Sequence, residues 1–155
     1  MIRKSTLTLK FGNTEKLNSL RSFLKEYSIC VNKFIDLLWS VNKFSGPFVE
    51  RRLIDKIETS LNFSAKQSAA QETLHIVKSQ RKRKQKIKPT FVKQSYNFNG
   101  NFIQILESNN SFGLWIKFTS MGFKKPISIP TKKHKQFNKF TNDGWTLKQC
   151  GRNEI

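Results

Sequence analysis

An apolar stripe of helical period runs through the early part of this sequence and strongly limits what the chain can fold into. Apolar residues recur at alternating spacings of three and four positions, as on one face of an α-helix. The stripe consists of Leu17, Leu20, Leu24, Tyr27, Val31, Phe34, Leu38 and Val41. Thr14 followed by Glu15 predicts the N-cap and a first-turn carboxylate, and the run from Ser45 to Pro47 predicts the end of the helix. Such a helix needs partner elements that bury the stripe.

Two more helices are predicted before Pro89. The shorter one places Val49, Leu53, Ile57 and Leu61 on one face. The next opens at Ser64, which together with Gln67 fits a capping box. It ends in the run SQRKRKQKIKP, because a proline cannot continue a helix and disfavours helical geometry at the residue before it.

Strand patterns lie on both sides of the helical region. Residues 6–11 alternate between polar and apolar side chains, as a half-buried strand does. Residues 112–118 alternate strictly, and Asn99-Gly100 predicts a hairpin turn. Pro126 and Pro130 bracket a short strand and confine it to a sheet edge or its ends. The other predicted strands cover residues 102–106 and begin again near residue 145.

This order of elements predicts an α+β fold. We expect a small, OB-like antiparallel β-barrel with a three-helix lobe inserted after its first strand. Residues 1–13 would form the first barrel strand, residues 14–88 the helical lobe and residues 89–155 the remaining strands. The final segment GWTLKQCGRNEI resembles a barrel strand without its hairpin partner, which favours a truncated chain or completion by another polypeptide.

The charge of the chain points to a polyanionic partner. There are 29 Lys and Arg against 10 Asp and Glu, a formal net charge of +19. Residues 73–155 carry 17 basic and 3 acidic side chains, and no acidic residue lies between Glu72 and Glu107 or between Glu107 and Asp143. Nucleic acid is the most densely charged candidate partner. An anionic membrane is disfavoured, because the charges of the longest helix are mixed in sign.

The basic run near Pro89 is the strongest local signal. We predict that its cations bind phosphates and that Tyr96 stacks on a base, since Phe91, Tyr96 and Phe98 follow closely. The candidate phosphate ligands are Arg81, Lys82, Arg83, Lys84, Lys86, Lys88 and Lys93. This combination suits RNA or single strands better than duplex DNA. The alternative is a solvated helix end or a localisation-type patch.

A second basic cluster is predicted in the barrel loops. It contains Lys124, Lys125, Lys132, Lys133, Lys135 and Lys139. Loops of small barrels often contact nucleic acids, although lysines in loops are also ordinary soluble surface. Trp115 is out of phase with the apolar set of its strand, so it either stacks on a base or, as we favour, packs under the helical lobe. Phe11, Phe34, Phe112 and Phe118 are expected in the core.

Enzymatic motifs do not stand out in the sequence. It has no phosphate-binding glycine loop, no dinucleotide-binding glycine pattern and no metalloprotease box, and Glu72 with His75 is only a weak pair. We therefore expect no catalysis, no metal and no cofactor. Cys30 and Cys150 lie too far apart for a disulfide framework or a zinc module, and no secretion signal is visible. We expect a cytoplasmic protein of a prokaryotic or viral host.

Several strings resemble the N-terminal part of the TnpB (OrfB-type) proteins of insertion sequences and of the related type V CRISPR effectors. LNFSAKQSAAQETLHIVKSQRKRKQKIKPTFVKQSYNF resembles the last recognition-lobe helix, a basic connector and a Pro-x-Phe entry into the wedge domain, with Pro89 and Phe91 in that motif. VNKFI, which contains Asn32, resembles the first recognition helix. KSTLTLKF, WIKF and ISIPTKK resemble wedge strands.

The resemblance covers essentially the whole chain and implies a function. In that family, this portion grips a structured guide RNA, the guide–target heteroduplex and the motif that flanks the DNA target. The RuvC-type carboxylates and the four-Cys zinc ribbon of the family are absent from this chain. The resemblance thus implies a non-cutting, RNA-binding protein of TnpB-like ancestry. The alternatives are a subunit that completes a separate nuclease chain and a decayed transposase remnant.

Overall fold

The computed structural model describes residues 7–41, 46–93, 102–119 and 125–142. Its elements, in chain order, are α1 (Thr14–Ser40), α2 (Arg51–Asp55), α3 (Phe63–Arg81), β1 (Ile103–Glu107), β2 (Gly113–Phe118), β3 (Ile127–Lys132) and α4 (Lys135–Asn142). The fold is α+β, and the described strands form an open antiparallel sheet in the order β1-β2-β3. The chain divides into two compact units: residues 21–96, and residues 1–20 with 97–154.

The apolar stripe of α1 is confirmed as its buried face. Leu17 is half-buried in its first turn, whereas Val41, predicted as the last member of the stripe, lies half-buried one residue beyond the end of α1. The members between them, Leu20, Leu24, Tyr27, Val31, Phe34 and Leu38, are buried. The predicted cap was one residue late: the side-chain oxygen of Asn13 accepts a hydrogen bond from the Lys16 backbone N–H at 2.9 Å, which makes Asn13 the N-cap and Thr14 the first helical residue.

The capping box predicted at Ser64 is wrong for a similar reason. Asn62 precedes α3, and its Oδ1 accepts a hydrogen bond from the Ala65 N–H at 2.9 Å. Ser64 therefore lies inside the first turn.

The middle of α3 packs closely on α1. Ala69 is fully buried, and the Thr73 hydroxyl donates a hydrogen bond to the Ala69 carbonyl at 2.8 Å. The same hydroxyl lies 3.3 Å from the Val31 carbonyl of α1. Small side chains allow α3 to approach α1 this closely.

α1 and α3 run in the same direction. The Tyr27 hydroxyl donates a 2.7 Å hydrogen bond to Glu72, whereas the ends of both helices meet where Arg81 bonds the Leu38 carbonyl. The short α2 completes this unit, with Leu53 packed against the buried cluster of Leu38, Leu74 and Val77. It covers only Arg51–Asp55, so Ile57 and Leu61, which were predicted on its apolar face, lie beyond its end.

The sheet shows the alternation that the sequence predicts. Leu114, Ile116 and Phe118 of the central strand β2 are buried, while Trp115 and Lys117 lie on the opposite face and are half-buried. Among the described strands β3 lies at the edge, as its prolines predict. Gly113 has a φ of +74°, a conformation that favours glycine, at the end of the turn between β1 and β2.

The first predicted strand is wrong over its described part. Residues 7–11 form no strand, and the Gly12 N–H bonds the Leu9 carbonyl at 2.9 Å to close a turn. The segment is fastened beside β3 by the Thr131 hydroxyl, which donates a 2.9 Å bond to the Thr8 carbonyl. The segment is therefore held by a side-chain hydrogen bond rather than by the backbone hydrogen bonds of a strand. Its residues still alternate between half-buried and exposed, as the sequence predicts.

α4 was not predicted. His134 precedes it and accepts a hydrogen bond at Nδ1 from the Phe137 N–H at 3.2 Å, and Phe137 is buried. Histidine is an unusual cap residue, so the sequence signal was weak. Lys132 lies in β3, and Lys135 and Lys139 lie in α4, rather than in loops. The Asn99-Gly100 hairpin and the strand near residue 145 lie outside the described residues.

The structure also bears on membranes. Among the helices of the described part of the chain, none is long and apolar enough to cross a membrane.

The two candidate caps of α3 can be told apart by mutation. Replacing Asn62 with Ala removes the side-chain acceptor of the Ala65 N–H and should lower the free energy of unfolding by about 1 kcal/mol. The matched change Ser64→Ala should have little effect, because Ser64 is an exposed residue of the first turn and not the cap. Urea unfolding followed by circular dichroism measures both; equal losses would contradict the assignment of Asn62 as the cap.

Candidate nucleic-acid interface

The side chain of Arg81 fastens the end of α3 to the end of α1. Its Nη2 donates hydrogen bonds to the carbonyls of Leu38, Trp39 and Val41 at 3.2, 2.8 and 2.6 Å. The guanidinium carbon also lies 5.5 Å from the centre of the Trp39 ring, within cation–π range. Carbonyls at a helix C-terminus have no partner within the helix, and here one arginine satisfies several of them.

The helix ends at Arg81 also set the local electrostatics. The C-termini of α1 and α3 lie together, and each carries a partial negative charge from its aligned peptide dipoles. Arg81, Lys82 and Arg83 are the cations nearest to these ends along the chain. The dipoles favour them there, but this effect falls off within one turn and does not account for the cations that follow.

The chain after α3 returns along α1 and is fastened again at Phe91. The Asn32 side chain donates from Nδ2 to the Phe91 carbonyl at 2.8 Å and accepts at Oδ1 from the Phe91 N–H at 2.9 Å. Asn32 therefore satisfies both backbone groups of Phe91, as a neighbouring strand would. The Phe91 side chain is buried, so this point is held by packing as well as by hydrogen bonds.

Between the two fastening points lies a segment that we call the basic connector, residues 82–90. Lys88 forms an ion pair with Asp36 at 2.5 Å, one helical turn beyond Asn32 on α1. Both side chains are more than half exposed, so this pair contributes at most about 1 kcal/mol. The connector thus follows α1 backwards, and its ends are held by Arg81 and Phe91.

The remaining cations of the basic connector point into solvent. Lys82, Arg83, Lys84 and Lys86 are all exposed, and among the described residues no carboxylate pairs with them. Ile87 is also 63% exposed, an apolar side chain among the charges. The result is a short loop with fixed ends that presents several cations together, an arrangement suited to a row of phosphates.

Two residues of the predicted site have roles in the fold of the helical unit. Arg81 was predicted to bind phosphate, but its Nη2 is engaged with α1 carbonyls and its side chain is only partly exposed. Phe91 was considered as a stacking ring, but it is 8% exposed. The role of Asn32 in holding the connector was not predicted from the sequence. Its partner, Phe91, is 59 positions away, and no pattern of neighbouring residues indicates such a bond.

The other predicted residues are spread over both units. Lys93 and Lys125 are exposed. Lys132 is exposed at the end of β3, and Lys133 is bound to Glu107 at 3.0 Å. Tyr96 and Lys124 lie outside the described residues, so their predicted roles stay predictions.

Of the side chains considered for chemistry, Glu72 is hydrogen-bonded, Cys30 is buried and His75 is exposed. Glu72 accepts the hydrogen bond of Tyr27, and His75 is exposed on α3. Burial raises the pKa of the Cys30 thiol to about 11, so this cysteine stays protonated at neutral pH and is a poor nucleophile. No group of three or more His, Cys, Asp or Glu side chains that could hold a metal ion occurs among the residues that the structure describes.

Comparison with known proteins gives no match: none of the protein-family profiles, curated proteins or solved structures that were searched is significantly similar to this chain.

The role of Asn32 can be tested at a single amide. Replacing Asn32 with Ala leaves the Phe91 N–H without its partner and the Phe91 carbonyl with only a 3.4 Å contact from Ser28, so we expect a loss of about 1–3 kcal/mol in stability. Hydrogen exchange of the Phe91 amide should accelerate more than that of amides in the middle of α3. Ser28→Ala is the control, because Ser28 makes only a 3.4 Å contact with the Phe91 carbonyl. An unchanged Phe91 exchange rate would refute the fastening role.

The buried thiol gives a pH-dependent prediction. In a Cys150→Ser variant, Cys30 should react with a thiol reagent at pH 8 only after the protein is unfolded. Because the pKa of Cys30 is raised from 9.0 to about 11, the unfolded chain loses this proton first, and stability should fall between those two pH values. Urea titrations at several pH values, compared with Cys30→Ala, measure the slope; rapid labelling of the native protein would contradict the assignment.

Proposed function

We propose that this protein binds structured RNA through the basic connector and does not cut it. Lys82, Arg83, Lys84 and Lys86 neutralise phosphates, and the fixed ends of the loop keep them together without a large ordering cost on binding. Lys88 and Lys93 extend the same basic surface. The observation that carries the proposal is this exposed row of cations, held between the bonds of Arg81 and of Asn32.

The cations are more numerous than stability alone requires. Helix dipoles favour positive charge in the last turn of α3, yet Lys84 and Lys86 lie beyond it. Like charges placed close together also repel one another, which lowers the stability of the free protein. A polyanion that lies against the loop would relieve this repulsion. For this reason we favour a phosphate backbone as the ligand over a solvated helix end.

We further propose that the chain has TnpB-like ancestry and that its sheet belongs to a wedge-type barrel. Two of the strings that carry the resemblance, VNKFI in α1 and the Pro-x-Phe motif, touch each other through Asn32 and Phe91. Residues of both strings thus take part in the same contact between α1 and the segment after α3, which supports the resemblance. On this proposal the ligand is a guide-type RNA, with target DNA as a further partner.

A second candidate function is that of a subunit that completes a separate nuclease chain. The open sheet favours it, because β1 and β3 each have one edge without a partner strand among the described residues. Such edges readily pair with a strand of another chain. A protein that co-purifies with this chain and carries RuvC-type carboxylates would support this candidate.

The connector can be tested by removing its charge. We expect the variant Lys82→Ala, Arg83→Ala, Lys84→Ala, Lys86→Ala to bind RNA more weakly at low salt. The slope of log affinity against log salt should become shallower by ~0.7 for each lost phosphate contact, or up to about 3 in total. The matched control removes the same charge from exposed cations elsewhere in the helical unit: Lys25, Arg51, Arg52 and Lys56.

The RNA itself is identified by sequencing what co-purifies with the protein. A discrete structured RNA that is retained by the control and lost from the connector variant would support the proposal. Heterogeneous RNA or equal losses in the two variants would contradict the proposal, since either outcome means that the charge acts without a specific site. A flat salt response would also contradict it, because it means that the cations neutralise no phosphates.

A further inference from the structure

A row of aromatic rings lies at one end of the sheet, outside the helical unit. The ring centres of Phe11 and Phe112 are 5.6 Å apart, and those of Phe112 and Trp115 are 6.3 Å apart with nearly perpendicular planes. All three side chains are half-buried. Phe11 and Phe112 were predicted in the core, so their partial exposure corrects that prediction. Each ring keeps some surface that a ligand can reach.

Lysines surround this aromatic row. The Nζ atoms of Lys10 and Lys132 lie 5.1 and 5.3 Å from the centre of the Phe11 ring, within cation–π range. Lys117 follows Trp115 by two positions in β2 and so lies on the same face of the sheet. On that face, the described strand residues include no carboxylate: they are Gln104, Leu106, Gly113, Trp115, Lys117, Ser128, Pro130 and Lys132.

Trp115 is flanked by apolar neighbours rather than by polar ones. The sheet register places Leu106 of β1 and Pro130 of β3 directly beside it, and Leu106 is 46% exposed. The opposite face of β2 supplies the buried core residues, so Trp115 is not needed to fill that core. A flat apolar strip with cations around it fits a nucleotide, whose base is apolar on its faces and whose phosphate is anionic.

We propose that this surface is a stacking site for an unpaired base of a single-stranded RNA segment. The base lies against Trp115 and Phe112, and Lys10 and Lys132 bind the neighbouring phosphates. The site deepens the proposed function, on which it rests for the class of ligand, but it uses residues of the other unit. A protein segment is the competing occupant; the lysines described beside the rings, Lys10, Lys117 and Lys132, favour the nucleotide.

Tryptophan fluorescence tests the contact without disturbing it. In the variant Trp39→Phe, Trp145→Phe, Trp115 is the only tryptophan left, since the chain has three. A short oligouridine, which has no base pairs, should quench its emission to saturation. Inorganic polyphosphate supplies charge without bases and should not. Quenching by neither probe, while the oligouridine still binds by anisotropy, would overturn the proposal.

Affinity measurements separate this proposal from the function of the connector. Trp115→Leu should weaken oligouridine binding roughly 5-fold or more, whereas Trp115→Phe, which keeps a ring, should retain most of it. If Trp115→Leu binds like the parent while the connector variant binds weakly, this stacking site is refuted and the proposed function stands. If the connector variant binds structured RNA like the parent while Trp115 is still quenched, the connector proposal fails and the stacking site stands. Circular dichroism checks that each variant is folded.

Discussion

The hydrogen bonds between Asn32 and Phe91 are the constraint on which the arrangement of the helical unit depends. An asparagine side chain has the same donor and acceptor as a peptide group, so Asn32 can satisfy both backbone groups of a chain that passes beside the helix. Without Asn32, the backbone N–H of Phe91 would lack this hydrogen-bond partner beside its own buried side chain. With Arg81 at the other end, this bond decides where the basic connector begins and ends.

Positive charge has two separate uses in this protein. At the meeting point of α1 and α3, Arg81 donates hydrogen bonds to carbonyls at the C-terminal end of α1, and its charge suits the helix dipoles. A few residues later, Lys84 and Lys86 face solvent and form no ion pair within the described part of the chain. The first use stabilises the protein, whereas repulsion among the cations of the second lowers its stability. Cations that are close together in the sequence therefore differ in their effect on the stability of the fold.

Much of the local structure was predictable, because periodicity reports which side of an element is buried. The stripe of α1 and the alternation in β2 both follow that rule. The helix starts were less predictable, since Asn62 and Ser64 are both good caps and the choice between them depends on where the chain turns. The site was predicted as a charge pattern, but the roles of Arg81 and Phe91 were not, because each depends on a contact with a residue more than 35 positions away.

Both ends of the basic connector are attached to the same helix, and this has an evolutionary consequence. A residue inserted into or deleted from the middle of the loop would move neither Arg81 nor Phe91, since the bonds that hold them belong to α1. The number and spacing of its cations can then change while the scaffold stays the same. Changes in the length or charge of this loop could therefore alter which ligands related chains recognise. Selection for a stable fold would act on other residues, such as those of α1 that hold the ends of the loop.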